Sequence, residues 1–122
     1  MEHVSIVRDD QIARLAGLRL IASVQHSWFH AGAAKTLTRW LGRDRRALAG
    51  RWRDLIDADI QLTGGTDRPY AIVGESGDSM DAIAEAVTRV GPSGRRPPRW
   101  MRSQAMTVLE VLRSLTIDAA FA

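Results

Sequence analysis

The 122-residue sequence contains no cysteine, and its only lysine is Lys35, so arginine supplies 16 of the 17 basic residues. The absence of cysteine excludes disulfide bonds, thiolate metal sites and cysteine nucleophiles, and it fits a reducing compartment. No apolar run approaches the roughly 20 residues that span a bilayer, and the first ten residues lack the basic start and apolar centre of a signal peptide. We therefore expect a cytoplasmic protein with no membrane partner.

The composition is that of a globular domain, with 45% apolar and 25% charged residues. A chain of this length supports one core, so residues 1–122 are treated as a single unit. Arginines cluster at two places, Arg43, Arg45 and Arg46, and Arg95, Arg96, Arg99 and Arg102. The 14 acidic residues leave a net charge of only +3, and we expect no nucleic-acid partner. The alternative is a small arginine-rich module, without enzymatic activity, that binds an acidic partner or nucleic acid.

Apolar stretches and turn residues alternate in a way that predicts parallel β/α units. Short apolar runs predict strands at residues 4–7, 18–24 and 60–63. Helical spacing of apolar residues predicts helices at residues 10–17, through Leu37, Trp40 and Leu41, through Leu48, Trp52, Leu55 and Ile56, through Met80, Ile83, Ala84 and Val87, and at residues 108–115. Residues 91–98 hold three of the four prolines and predict an irregular loop.

Three parallel strands do not close a sheet, and a barrel of eight takes about 250 residues. The predicted fold class is therefore α/β, a partial TIM-type β/α barrel of about three strands. The remainder is expected upstream, from a separately encoded half, or from further copies of the chain.

Two residues that suit a metal site stand beside predicted strands. His3 lies at an end of the first strand, and Asp67 lies just past the carboxyl end of the third, in Gly65-Thr66-Asp67-Arg68-Pro69. An imidazole nitrogen binds a borderline metal such as zinc, and a carboxylate either binds the same metal or takes a proton from its water. Alternatively, His3 is an exposed terminal residue and Asp67 a turn residue that hydrogen-bonds its own backbone.

An ordered set of short segments resembles the sixth to eighth barrel strands of the amidohydrolase superfamily, in the group called amidohydrolase family 3. The segments are Glu2-His3, Ile6-Val7, Ile12-Ala13-Arg14-Leu15, Ile21-Ala22-Ser23-Val24-Gln25, Leu41-Gly42, Trp52-Arg53-Asp54-Leu55, Gly65-Thr66-Asp67, Ala86-Val87-Thr88-Arg89 and the closing residues 115–122. The resemblance covers nearly the whole chain.

The resemblance implies a metal-dependent hydrolase that opens amide-type carbon–nitrogen bonds of small molecules with a divalent metal, zinc by expectation. His3 would be the metal ligand from strand six. Asp67 would be the strand-eight carboxylate that holds and deprotonates the attacking water.

Other parts of the family pattern have no counterpart in this sequence. They are the His-x-His pair of strand one, the bridging lysine or acidic ligand of strand four and the histidine of strand five. We therefore expect the chain to be inactive alone and to need an N-terminal barrel portion. His26 and His30, in the loop after the second strand, either line the substrate pocket, replace a missing metal ligand, or occupy the mouth of the barrel without a metal. Arg68 either binds a substrate carboxylate or pairs with a nearby acid.

Overall fold

The computed structural model describes residues 1–67, 70 and 78–122, which form a small parallel sheet packed against helices. The strands are β1 (Ala22–Gln25) and β2 (Leu62–Gly65). The helices are α1 (Asp9–Gly17), α2 (Ala34–Arg45), α3 (Trp52–Asp57), α4 (Ser79–Thr88), α5 (Arg99–Arg102), α6 (Val108–Leu115) and α7 (Ile117–Phe121). Short 3-10 turns occupy His26–Trp28, Ala31–Ala33 and Arg46–Leu48. Within this described part of the chain, no helix has the length and apolar character needed to cross a membrane.

Strands β1 and β2 are parallel neighbours, with Ala22 opposite Leu62 and Gln25 opposite Gly65. Helices α2 and α3 lie between them along the chain, as a parallel connection requires. This arrangement confirms the predicted mixture of helices and parallel strands, with both strands displaced toward the carboxyl side of their predicted positions. The predicted second strand starts only at Ala22 because residue Arg19 takes a left-handed turn, with φ of 51°.

The amino terminus continues the ladder on the other edge of β1. The Met1 ammonium donates to the Ile21 carbonyl at 2.8 Å, and the Ser23 amide donates to the Met1 carbonyl at 2.8 Å. The neighbouring Ala22 amide instead donates to Gln61, beside β2, at 2.9 Å. Because successive amides of a strand point to opposite edges, the amino-terminal segment and β2 flank β1.

The prediction of a first strand at residues 4–7 is wrong. The ladder on this edge of β1 ends at Val4, whose amide donates to the Ser23 carbonyl at 3.2 Å, one residue after the left-handed His3 with φ of 53°. Beyond Val4, Ile6 forms only an isolated antiparallel bridge with Ala49. Val4 and Val7 are nevertheless buried, at 4% and 3% exposure, which explains why this stretch is apolar.

The predicted helix through Leu48 and Trp52 is also wrong at its start. Leu48 belongs to a 3-10 turn, and α3 begins at Trp52. Gly50 separates the two with φ of 62°, a left-handed conformation that ends helical geometry. Gly42, with φ of 76°, kinks α2 in the same way.

The core lies where α3, α4 and α6 meet the sheet. Trp52, Leu55, Ala86 and Val111 are fully buried, and Val24 of β1 is 1% exposed. Helix α6 contacts both β2 and α4. Burying a large apolar side chain contributes about 1.5–3 kcal/mol, so these contacts hold the carboxyl ends of the strands in place.

A buried arginine connects three segments of this core. Arg89, 1% exposed, donates to the carbonyls of Phe29 at 3.0 Å, of Gly50 at 3.1 Å and of Gln104. Its guanidinium carbon lies 3.5 Å from the centre of the Trp52 ring, a cation–π contact. Burial lowers the pKa of Arg89 to about 9.

Candidate functional site

The structure brings the two predicted metal-site residues together. The His3 Nε2 and Asp67 Oδ2 atoms are 3.9 Å apart. Both residues have left-handed backbones, with φ of 53° and 57°. Such a conformation costs a residue with a side chain roughly 1–2 kcal/mol and is found preferentially at functional sites.

The surroundings of the pair fix its geometry while leaving it accessible. The His3 ring stacks on Trp28, with centroids 5.7 Å apart and planes inclined by 29°. The Asp67 carbonyl accepts a hydrogen bond from the Tyr70 amide at 2.9 Å. The side chains remain 49% exposed for His3 and 30% for Asp67, so a ligand can reach both.

The separation of the two donor atoms is close to that of two ligands on one divalent metal. Zinc–nitrogen and zinc–oxygen bonds are each about 2.1 Å, and tetrahedral angles place two such donors roughly 3.4 Å apart, so the pair would close by about 0.5 Å to share one ion. The donor types, an imidazole nitrogen and a carboxylate oxygen, are those that zinc accepts. Within residues 1–67, 70 and 78–122, no group of three or more potential ligands comes together. The described chain therefore offers two candidate ligands, fewer than the four that a zinc site takes.

His26, predicted at the pocket, lies in the core with 1% exposure. Its Nε2 is 3.1 Å from the Ser114 hydroxyl, which itself donates to the Val111 carbonyl at 2.8 Å. Because that hydroxyl has one proton, the His26 Nε2–H must be the donor to it. Burial, aided by the Arg89 charge, lowers the pKa of His26 to about 4, so the ring is neutral at pH 7.

His30 is equally buried, at 1% exposure. Its Nδ1 accepts a hydrogen bond from the Gly32 amide at 3.0 Å and thereby caps the turn Ala31–Ala33. Its ring lies against Gly91, where an added Cβ would be 2.3 Å from Nδ1. Burial lowers the pKa of His30 below its ordinary value.

The predicted substrate contacts thus have different outcomes. The burial of His26 and His30 does not support a contact with substrate, because neither ring has a surface on which a ligand can lie. Arg68 lies outside the described residues. Sequence reasoning also missed Trp28, which holds His3, although an aromatic residue in the loop after β1 was a usable signal.

Three comparisons identify similar proteins. The model of the family described as "Amidohydrolase family" matches residues 1–122. A curated relative, "Putative amidohydrolase YtcJ" of Bacillus subtilis (strain 168), is 26% identical over 118 residues, which make up 97% of this chain and 21% of the relative. The chain therefore spans about a fifth of that relative's length.

Two solved structures share the fold. An uncharacterized metal-dependent hydrolase from Pyrococcus horikoshii OT3 matches with a TM-score of 0.80 and 30% identity, covering 98% of this chain and 23% of that one. A second, from Pyrococcus furiosus, matches with a TM-score of 0.70 and 27% identity, covering 98% and 22%. With a family match over its full length and these neighbours, the chain belongs to the amidohydrolase family.

Proposed function

We propose that this chain is the closing part of a β/α barrel hydrolase that opens amide-type carbon–nitrogen bonds of small molecules in the cytoplasm. His3 serves as a ligand of a divalent metal, zinc by preference, and Asp67 as both ligand and general base. The observation that carries the proposal is the 3.9 Å approach of His3 Nε2 to Asp67 Oδ2 beside the carboxyl ends of parallel strands. The metal-dependent hydrolases with the same fold support the chemistry.

Each residue of the pair has a separate task. A metal bound there would lower the pKa of its bound water and polarise the carbonyl of the substrate. The Asp67 carboxylate takes the proton from the attacking water and passes it to the leaving nitrogen as the carbon–nitrogen bond breaks. The stack on Trp28 holds the His3 ring with its Nε2 3.9 Å from the Asp67 carboxylate.

The remaining ligands and the substrate pocket would come from the barrel portion that this chain does not match in its relatives. The chain covers 21% of the curated relative, and its described residues supply only two ligands. We therefore propose that the chain alone does not turn over substrate. The amino-terminal segment and the outer edge of β2 are where the missing strands would pair.

The proposal is tested in a chimera in which this chain replaces the matching segment of the Bacillus subtilis relative. Loaded with zinc and screened against small amides, ureas and cyclic imides, the chimera should hydrolyse at least one class. Replacing Asp67 with Asn should reduce kcat by at least about a thousandfold, because the base is lost. Full activity in this variant would exclude Asp67 as the base.

A matched control is Asp59→Asn. Asp59 also has a left-handed backbone, with φ of 57°, but it precedes β2 and is exposed. The same substitution there should leave kcat within about twofold. The variant His3→Ala should lower the zinc content measured by elemental analysis, whereas Asp59→Asn should not.

A further inference from the structure

A shallow groove on the face formed by α2 and the loop before α5 is lined by five positively charged side chains. They are Lys35, Arg39 and Arg46 from α2 and the turn after it, and Arg95 and Arg96 from the loop. Trp100 also lines the groove, together with Ala31, Ala34, Thr38 and Pro98, and the groove has a volume of about 560 Å³. We call the five basic residues and Trp100 the cationic groove.

The charges of the cationic groove are not neutralised within the described chain. None of its five basic residues takes part in an ion pair there, and no acidic residue lines the groove. Elsewhere arginines do pair with carboxylates, as Arg8 does with Asp10 and Arg51 with Asp9 and Asp54. Like charges gathered on one surface repel each other and concentrate anions from solution.

Two contacts give the groove a fixed element. The Arg46 guanidinium lies 5.8 Å from the centre of the Trp100 ring. Its Nη1 also donates to the Thr38 hydroxyl at 3.4 Å. Arg46 is thereby held between α2 and α5, and among the described residues its other donors have no partner and can bind an oxyanion.

We propose that the cationic groove binds a small ligand that carries two or more phosphate groups. A guanidinium group binds phosphate through two parallel hydrogen bonds. A ligand with one carboxylate would neutralise only one of the five positive charges, whereas a ligand with two or more phosphates would neutralise several. A volume of about 560 Å³ suits a small molecule. A nucleic-acid track would extend along a larger basic surface, whereas this chain has a net charge of only +3. This binding is separate from the proposed hydrolysis and does not depend on it.

The test is calorimetric titration of the 122-residue chain with inorganic tripolyphosphate at low salt. The wild-type chain should bind, and Arg95→Glu/Arg96→Glu should weaken binding by about tenfold or more, since two charged hydrogen-bond donors are lost. Lys35→Glu is a second variant, which reverses a charge of the groove on α2 instead of on the loop and should also weaken binding. Circular dichroism of each variant establishes that it is folded.

The matched control is Arg14→Glu/Arg19→Glu, which makes the same charge change at two exposed arginines outside the groove. It should change the dissociation constant by less than about threefold, through long-range charge alone. Equal weakening by both double variants, or no binding by the wild-type chain, would overturn the proposal. Tighter binding of a single-stranded oligonucleotide than of tripolyphosphate, lost in the groove variant, would replace it with a nucleic-acid surface.

Discussion

His3 and Asp67 come together because the amino-terminal segment and β2 lie on the two edges of β1, with His3 and Asp67 at the same end of these segments. The pairing was predictable from the family resemblance, which assigned His3 and Asp67 to one barrel site. It did not follow from the apolar runs, because a strand at residues 4–7 would have placed His3 at its amino end. The burial of His26 and His30 was not predictable. A polar aromatic stretch after a strand is equally typical of a pocket mouth, and only the close approach of Gly64 and Gly91 to the rings makes room for them in the core.

The buried His26 should make the protein sensitive to acid. Its pKa is lowered from 6.5 to about 4 on folding, so the folded state binds fewer protons than the unfolded state between these values. The contribution is fully present above pH 6.5 and is lost as pH falls toward 4, by roughly 3 kcal/mol. Urea unfolding at several pH values should show a shallower pH dependence for His26→Gln. An identical slope in both proteins would contradict the buried neutral imidazole.

Gly64 should tolerate no side chain. A Cβ at this position would lie 1.8 Å from Cε1 of His26, an overlap that neither β2 nor the buried ring can relieve by a small movement. Gly64→Ala should therefore lower the free energy of unfolding by about 2–3 kcal/mol, measured by urea denaturation. The neighbouring Gly65→Ala is the control, because an added Cβ there meets nothing within 4 Å. Equal stability of the two variants would show that His26 does not lie over β2.

Helices were predicted well where sequence periodicity agrees with local capping. In α6, the Thr107 hydroxyl accepts from the Glu110 amide at 3.3 Å, and Glu110 accepts in return from the Thr107 amide at 2.7 Å. The α2–α3 region was predicted poorly. There the apolar spacing of Leu48 and Trp52 runs on across Gly50, whose left-handed backbone ends the helical path.

An ion pair joins α3 to α6. Arg53 donates to both oxygens of Glu110, at 2.8 and 2.6 Å, and the pair holds the pKa of Glu110 at about 2. Because this pKa is lowered on folding, the stabilisation is present above pH 4.5 and is lost as pH falls toward 2.

Glu110→Gln should cost about 1 kcal/mol at pH 7, since the pair is partly screened by solvent and the α6 cap is only weakened. This loss should shrink as the pH of the urea titration is lowered toward 2. The control is Asp57→Asn, which removes only the exposed 3.4 Å pair with Arg53 and should cost less than about 0.5 kcal/mol. If Asp57→Asn costs as much as Glu110→Gln, the link between α3 and α6 contributes no more than a surface pair.

In the whole molecule, the extended amino-terminal segment and β2 flank β1. The chain aligns with less than a quarter of each similar hydrolase. The sequence predicted membership of the family because short family segments occur in order along the chain. It did not predict where the first ladder ends, because the burial of Val4 and Val7 gives residues 4–7 the composition of a strand although only the Val4 amide among them donates to β1.

A paramagnetic divalent ion gives the sharpest test of the shared His3–Asp67 site in this chain. On addition of Mn²⁺ to the isotopically labelled protein, the amide signals of His3 and Asp67 should broaden before all others. The variant His3→Ala/Asp67→Asn should lose this selective broadening, and Asp59→Asn should retain it. Broadening that begins elsewhere, or that persists unchanged in the double variant, would show that the two residues do not form a metal site.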